Sequence, residues 1–190
     1  MNNKLNKTAA NYQNLSPISF LLKAARIFPE SISVIYENTT FTWAETLQRC
    51  SLFASALQNA GLKKGDVVGF MAANTPELYE AHFSVPMAGM VLNALNFRLD
   101  AQTIAYIIDH AEIKLLVVDK EFSAVINESV KRSKLKPILI DIDDPNVRRG
   151  RLLGKLDYEE FLRTGSREFK ISKIADEWDT ISINYTSGTT

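Results

Sequence analysis

Between Val67 and Ile142 the chain alternates short apolar runs with longer segments whose apolar residues recur three or four positions apart. The short runs are Val67–Ala72, Met90–Leu95, Leu115–Asp119 and Pro137–Ile142, each of strand length and too short for a buried helix. Thr75-Pro76-Glu77 opens the first intervening segment, which carries Leu78, Ala81, Phe83 and Val85 and which Pro86 should kink or end. Asp100 is placed to cap the second, with Ile104, Ile107, Ile108 and Ala111 on one face; Phe122–Ser133 makes the third. Strand and helix alternating at this spacing imply βαβ units. The expected fold is therefore α/β, a mostly parallel sheet flanked by helices.

The flanking segments extend the pattern. Ser16 and Pro17 are a helix start, Leu21, Ala24, Ala25 and Phe28 keep helical spacing, and Pro29 stops the run. Ile32–Tyr36 and Thr40–Thr42 read as short strands around Glu37-Asn38-Thr39. Thr42-Trp43-Ala44-Glu45 has capping-box spacing; Trp43, Leu47, Cys50, Ala54 and Leu57 then form a stripe that Gly61 ends. After Ile142 comes a polar, basic loop, Asp143–Lys155, then a short helix near Leu156–Leu162. In Thr180–Tyr185 the residues Ile181, Ile183 and Tyr185 alternate as in a last strand.

Composition narrows the function. With 22 Lys plus Arg against 22 Asp plus Glu, the net charge is zero, which supplies neither a nucleic-acid footprint nor a polybasic membrane anchor. The longest apolar runs, residues 67–73 and 85–92, fall short of the ~20 residues a membrane-spanning helix needs. The segment MNNKLNKTAANYQNLS has no apolar stretch of the signal-peptide kind, and Cys50 is the single cysteine. These features fit an intracellular, reducing compartment, and the Asn-x-Ser/Thr matches at Asn6, Asn38, Asn127 and Asn184 then read as chance. The sequence stops at Thr190, inside a glycine-containing loop that follows a strand, so a piece of a longer protein is expected.

That loop, Tyr185-Thr186-Ser187-Gly188-Thr189-Thr190, is the strongest candidate site. Ligands of open α/β sheets sit beyond the carboxyl ends of strands, and a hydroxyl-rich loop with a glycine can turn N–H and O–H donors toward phosphate oxygens. Composition alone leaves an ordinary Ser/Thr turn as the competing reading. Other nucleotide motifs fail: Gly150-Arg151-Leu152-Leu153-Gly154-Lys155 has one residue too few for a Walker A loop, and Leu156 stands where Ser or Thr should follow the lysine. His82 and His110 have no metal-ligand spacing and are expected to be structural, as is Cys50 on its apolar stripe. Asp141, Asp143 and Asp144 read as solvated acids, and Arg148, Arg149 and Arg151 as a solvated loop without interleaved aromatics.

The ending resembles the signature loop of the adenylate-forming, acyl-activating (AMP-binding) enzymes, Tyr/Ser-Thr-Ser-Gly-Thr-Thr-Gly-x-Pro-Lys-Gly, whose first half is matched by Thr186–Thr190. Other segments fall in the family's order. Phe41-Thr42-Trp43-Ala44-Glu45 is similar to its entry into a first long helix, and Gly61-Leu62-Lys63-Lys64-Gly65-Asp66-Val67-Val68 to its turn into a strand. Ala73-Asn74-Thr75-Pro76-Glu77, Ala88-Gly89 and Leu95-Asn96 follow. The stretches His82–Gly89 and Leu95–Asp100 are most similar to plant CoA ligases for small and aromatic acids.

The resemblance implies a flexible segment over residues 1–14 and the N-terminal part of the AMP-binding domain over residues 15–190. It also implies an ATP-dependent acyl-CoA synthetase: a small carboxylic acid and ATP give an acyl-adenylate, which passes its acyl group to CoA. Thr186, Ser187, Gly188, Thr189 and Thr190 would contact the ATP phosphates, with Mg²⁺ balancing their charge. No catalytic residue and no metal ligand of the family falls on matched positions, so these residues alone are expected to be inactive. A non-catalytic interaction module and an adenylate-former serving a carrier protein are the alternatives. The implied location is cytoplasmic or peroxisomal.

Overall fold

A computed structural model describes residue 6, residue 8 and residues 10–171 and 176–186. The amino-terminal helix α1, Pro17–Ile27, starts where expected: the Ser16 side chain accepts from the Ile18 N–H and Pro17 occupies the first turn. A hairpin follows, β1 (Ile32–Tyr36) antiparallel to β2 (Thr39–Thr42). Helix α2, Trp43–Asn59, opens on a complete capping box between Thr42 and Glu45. It ends because Gly61, at φ +91°, takes a left-handed turn that a side chain would resist.

The sheet is built from β3 (Val67–Met71), β4 (Val91–Ala94), β5 (Ile113–Asp119), β6 (Ile138–Ile142) and β7 (Leu156–Asp157). All neighbours are parallel, in the order β4-β3-β5-β6-β7. The crossovers are α3 (Pro76–Met87), α4 (Ala101–His110) and, after a 3-10 turn at Lys120–Phe122, α5 (Ser123–Arg132); α6 (Tyr158–Arg163) follows β7. Alternate side chains of β3 to β6 enter two cores. Val68, Phe70, Leu115, Val117, Ile140 and Ile142 face α2, α3 and α6, while Met71, Leu116 and Val118 face α4 and α5. Phe53 of α2 anchors the first core: it stacks on Tyr158 at 4.9 Å and meets Phe70 and Phe161 edge-on or tilted, pairs contributing ~0.5–1.5 kcal/mol beyond their buried area.

Two expectations about secondary structure need correction. The chain near Leu156 is not all helix: Leu156–Asp157 first pairs with Ile140 and Asp141 as β7. Thr180–Tyr185 is not a regular strand; it makes one parallel bridge, Ser182 to Leu92, at the outer edge of β4. On α3, Leu78 and Phe83 are only half-buried, while Glu80 and Ser84 are fully enclosed. Among the described residues no helix is long and apolar enough to cross a membrane.

Candidate functional site

Parallel strands deliver all their carboxyl ends to one edge, here Met71, Ala94, Asp119 and Ile142. The segment 181–185 runs in the same direction as β4, so Tyr185 and Thr186 leave the sheet at that edge too. The Leu92 N–H donates to the Ile181 carbonyl (3.0 Å), and the Ile183 N–H donates back to Leu92 (2.8 Å). The Asn93 amide nitrogen donates to the Ile183 carbonyl at 2.6 Å. Ile183 and Tyr185 rest on the α4–α5 core. The Tyr185 hydroxyl lies 2.7 Å from Nδ1 of His110, the last residue of α4. Thr186 is exposed just beyond. Ser187, Gly188, Thr189 and Thr190 lie outside the described residues.

Farther along the same edge is a crevice of about 290 Å³, lined among others by Tyr36, Arg49, Glu77, Asp144, Tyr158 and Glu159. Its floor is ionic. Arg49 Nε reaches Glu80 Oε1 at 2.5 Å, and the guanidinium forks onto Glu159 at 2.6 and 3.0 Å. The Tyr158 hydroxyl donates to the other Glu80 oxygen at 3.0 Å, and Arg49 lies 4.5 Å from the Phe41 ring centroid. Glu80 is 0% exposed; burial drives its pKa upward against the pull of Arg49 and Tyr158. The group ties α2, α3 and α6 together. No expectation from the sequence covers this group, although Glu80 shares the inward face with Ser84, where a carboxylate demands a partner.

The remaining candidates are structural. Gly150 sits at φ +97° with its α-carbon against the Lys120 carbonyl, so a β-carbon would come within 1.8 Å of that oxygen. Asp141 and Asp144 are buried rather than solvated, contrary to expectation. The Asp141 carboxylate accepts from the Leu153 and Gly154 N–H groups, pinning the 143–155 loop. Asp144 accepts from the Tyr36 hydroxyl and Asn146; burial raises its pKa but these bonds outweigh it and leave it lowered. Asp143 pairs with Lys120, and Arg149 with Glu121. His82 Nδ1 lies 2.8 Å from the carbonyl of Leu78, one turn back on the same helix. Cys50 is buried. Among the described residues no three His, Cys, Asp or Glu side chains converge as they would to hold a metal ion.

Asp109, beside His110, braces the end of α4. It accepts from the Ser133 hydroxyl (2.7 Å) and the N–H groups of Lys134 (3.1 Å) and Leu135 (3.0 Å). These bonds, led by Ser133, hold its pKa below the ordinary 3.8. A lowered folded pKa stabilises above the unfolded value and is lost as pH falls through the folded one. Acid unfolding of an Asp109→Asn variant, followed by circular dichroism, should therefore be shallower below pH 3.8 than in the parent.

The fold and its carboxyl edge define a class. The sequence matches the family model described as AMP-binding enzyme over residues 21–190, and the chain belongs to that family. It is 42% identical, over 98% of its length, to the acetate–CoA ligase CCL3 of Humulus lupulus, of which it covers 35%. It is 43% identical to the peroxisomal butyrate–CoA ligase AAE11 of Arabidopsis thaliana, over 95% of this chain and 33% of that one. The trans-cinnamate:CoA ligase of Petunia hybrida, named peroxisomal, is 39% identical over 98% of this chain. The fold matches the crystal structure of the anthranilate CoA ligase AuaEII with a TM-score of 0.84 at 18% identity, over 97% of this chain and 35% of that chain. The chain thus spans about a third of the length of the curated relatives it matches.

Proposed function

We propose that residues 15–190 form the N-terminal part of the AMP-binding domain of an ATP-dependent acyl-CoA ligase, acting on a small aliphatic or aromatic carboxylic acid in the cytoplasm or the peroxisome. The observation that carries this reading is the path of residues 181–186, parallel to β4 and emerging at the carboxyl edge directly before the hydroxyl loop. A substrate carboxylate oxygen attacks the α-phosphorus of ATP, and the bond to pyrophosphate breaks. The CoA sulfur then attacks the acyl carbon and AMP leaves. The first step requires no general base, because the acid is already a carboxylate at neutral pH. Thr186, Ser187, Gly188, Thr189 and Thr190 are assigned to the β- and γ-phosphates, as hydroxyl and N–H donors.

The test is a chimera in which residues 1–190 replace the corresponding third of the Humulus acetate–CoA ligase. Pyrophosphate release and acyl-CoA formation are followed with acetate, butyrate, benzoate and cinnamate. Turnover of at least one acid supports the proposal; a folded chimera silent with all four overturns it. In the active chimera each hydroxyl is tested singly. A hydrogen bond to a charged phosphate is worth about 1.5–3 kcal/mol, so Thr189→Ala or Thr190→Ala should slow adenylation roughly 10- to 100-fold without shifting the melting temperature. Loss of activity only through unfolding would favour a structural turn.

A further inference from the structure

We infer that His110 and Tyr185 form a latch that positions the phosphate loop, with His110 acting as a positioning residue through the tyrosine. This rests on the proposed reading of residues 186–190. Among the described residues, the backbone of the segment leading into that loop is held to the sheet at few points, while Ile183 and Tyr185 pack on the α4–α5 core. Where a regular strand would lay down a full ladder, it bonds to β4 through one bridge, with two backbone hydrogen bonds and the Asn93 amide. All of these fall at Ile181–Ile183, upstream of Tyr185. Tyr185 is the last residue before the loop's hydroxyls, and its own hydroxyl lies 2.7 Å from His110 Nδ1. The two rings meet edge-on, with centroids 5.8 Å apart at 78°.

The histidine has a further ring contact on its own helix. Its ring stacks on Tyr106, one turn back along α4, at 5.2 Å and 23°. That helix is capped at its start by Asp100 and braced at its end by Asp109 to residues 133–135. A continuous mechanical path thus runs from the α4–α5 core through His110 and Tyr185 to Thr186. With Nδ1 accepting, the phenol donates, and the tyrosine backbone is held at one height above the sheet edge. Without that bond the position of the Tyr185 backbone would rest on the packing of its ring against the α4–α5 core, and the loop's donors would need more ordering by the ligand itself. An exposed histidine–tyrosine bond that merely adds to fold stability predicts no change in phosphate binding.

The experiment titrates the 190-residue chain with MgATP to tens of millimolar and follows the backbone amide resonances of residues 186–190. His110→Phe keeps a ring on Tyr106 but removes the acceptor, and Tyr185→Phe removes a single oxygen. Each should weaken ATP binding about fivefold, the size of one neutral hydrogen bond, and the double variant should lose no more than either alone. His110→Asn carries an acceptor near the position of Nδ1 and should return affinity to within about twofold of the parent, at a helix end where asparagine is tolerated. Parent-like binding by both Phe variants, or additive losses in the double variant, overturns the latch. If Gly188→Val abolishes the loop shifts in that same experiment, the phosphate-loop reading survives the latch's failure. If Gly188→Val binds like the parent, or the parent loop does not respond to MgATP at all, that reading falls and the latch falls with it.

Discussion

Replacing Arg49 with methionine is expected to remove about 3–5 kcal/mol of folding stability, the range for breaking a buried ion pair from one side. Methionine keeps an unbranched stem but removes the guanidinium, whose central carbon lies 4.5 Å from the Phe41 ring centroid and 5.9 Å from that of Tyr158, so the loss is chiefly electrostatic. It leaves Glu80 at 0% exposure with the Tyr158 hydroxyl as its remaining hydrogen-bond donor among the described side chains. A carboxylate in that position cannot remain charged cheaply, and its pKa, already raised by burial, must rise further. The sign follows from proton linkage. A carboxyl whose folded pKa exceeds its unfolded value binds protons preferentially in the folded state, so the variant gains stability as pH falls toward the unfolded value. Urea unfolding at pH 8 and pH 5 should show the larger deficit at pH 8. Removing the stranded charge as well, in Arg49→Met with Glu80→Gln, should recover much of the loss, because the buried carboxylate is gone. A single variant as stable as the parent at pH 8 would mean that the pair is solvated and ties nothing together.

The sequence spelled out those parts of the fold that local chemistry determines. Ser16-Pro17, the Thr42–Glu45 box and Asp100 announced three helices because each cap is satisfied within three residues of chain. The runs at Val67 and Leu115 showed as buried strands because both faces of a parallel sheet are covered, so alternation disappears. What stayed hidden depends on partners far away in sequence. Strand β7 has two residues and no period; it exists because Ile140 and Asp141 lie beside it. Asp144 reads as solvated until Tyr36, 108 positions earlier, is brought against it. The Arg49–Glu80–Glu159 group joins three helices, so its members show only as isolated charges along the chain. The site divides in the same way. The phosphate loop is proposed from a local motif, whereas the Tyr185–His110 contact spans 75 residues and carries no local pattern.

A Gly188→Val substitution in the active chimera is expected to lower ATP–pyrophosphate exchange by at least ~100-fold, about 2.7 kcal/mol of transition-state stabilisation. Glycine is the one residue of the proposed phosphate loop without a side chain, between Ser187 and Thr189. A loop that wraps a triphosphate turns backbone N–H groups toward its oxygens, and a β-branched side chain both holds the backbone off and restricts φ. Each lost N–H contact to a charged oxygen costs about 1.5–3 kcal/mol, so displacing the backbone from even one or two phosphate oxygens reaches the stated loss. The neighbouring hydroxyl variants differ in kind, since each removes one donor and leaves the path of the chain alone. The valine should therefore cost more than either threonine-to-alanine change. The strap upstream, held to Leu92 and Asn93, should be unaffected, so the melting temperature should stay within a few degrees of the parent chimera. Activity should fall mainly in the adenylation half-reaction. Transfer from a preformed acyl-adenylate to CoA involves no β- or γ-phosphate, and supplying that intermediate directly should restore thioester formation to near the parent rate. Near-normal exchange in the valine variant would remove Gly188 from the phosphate site. A loss equal in both half-reactions would mean that the residue supports the fold of the site rather than the triphosphate.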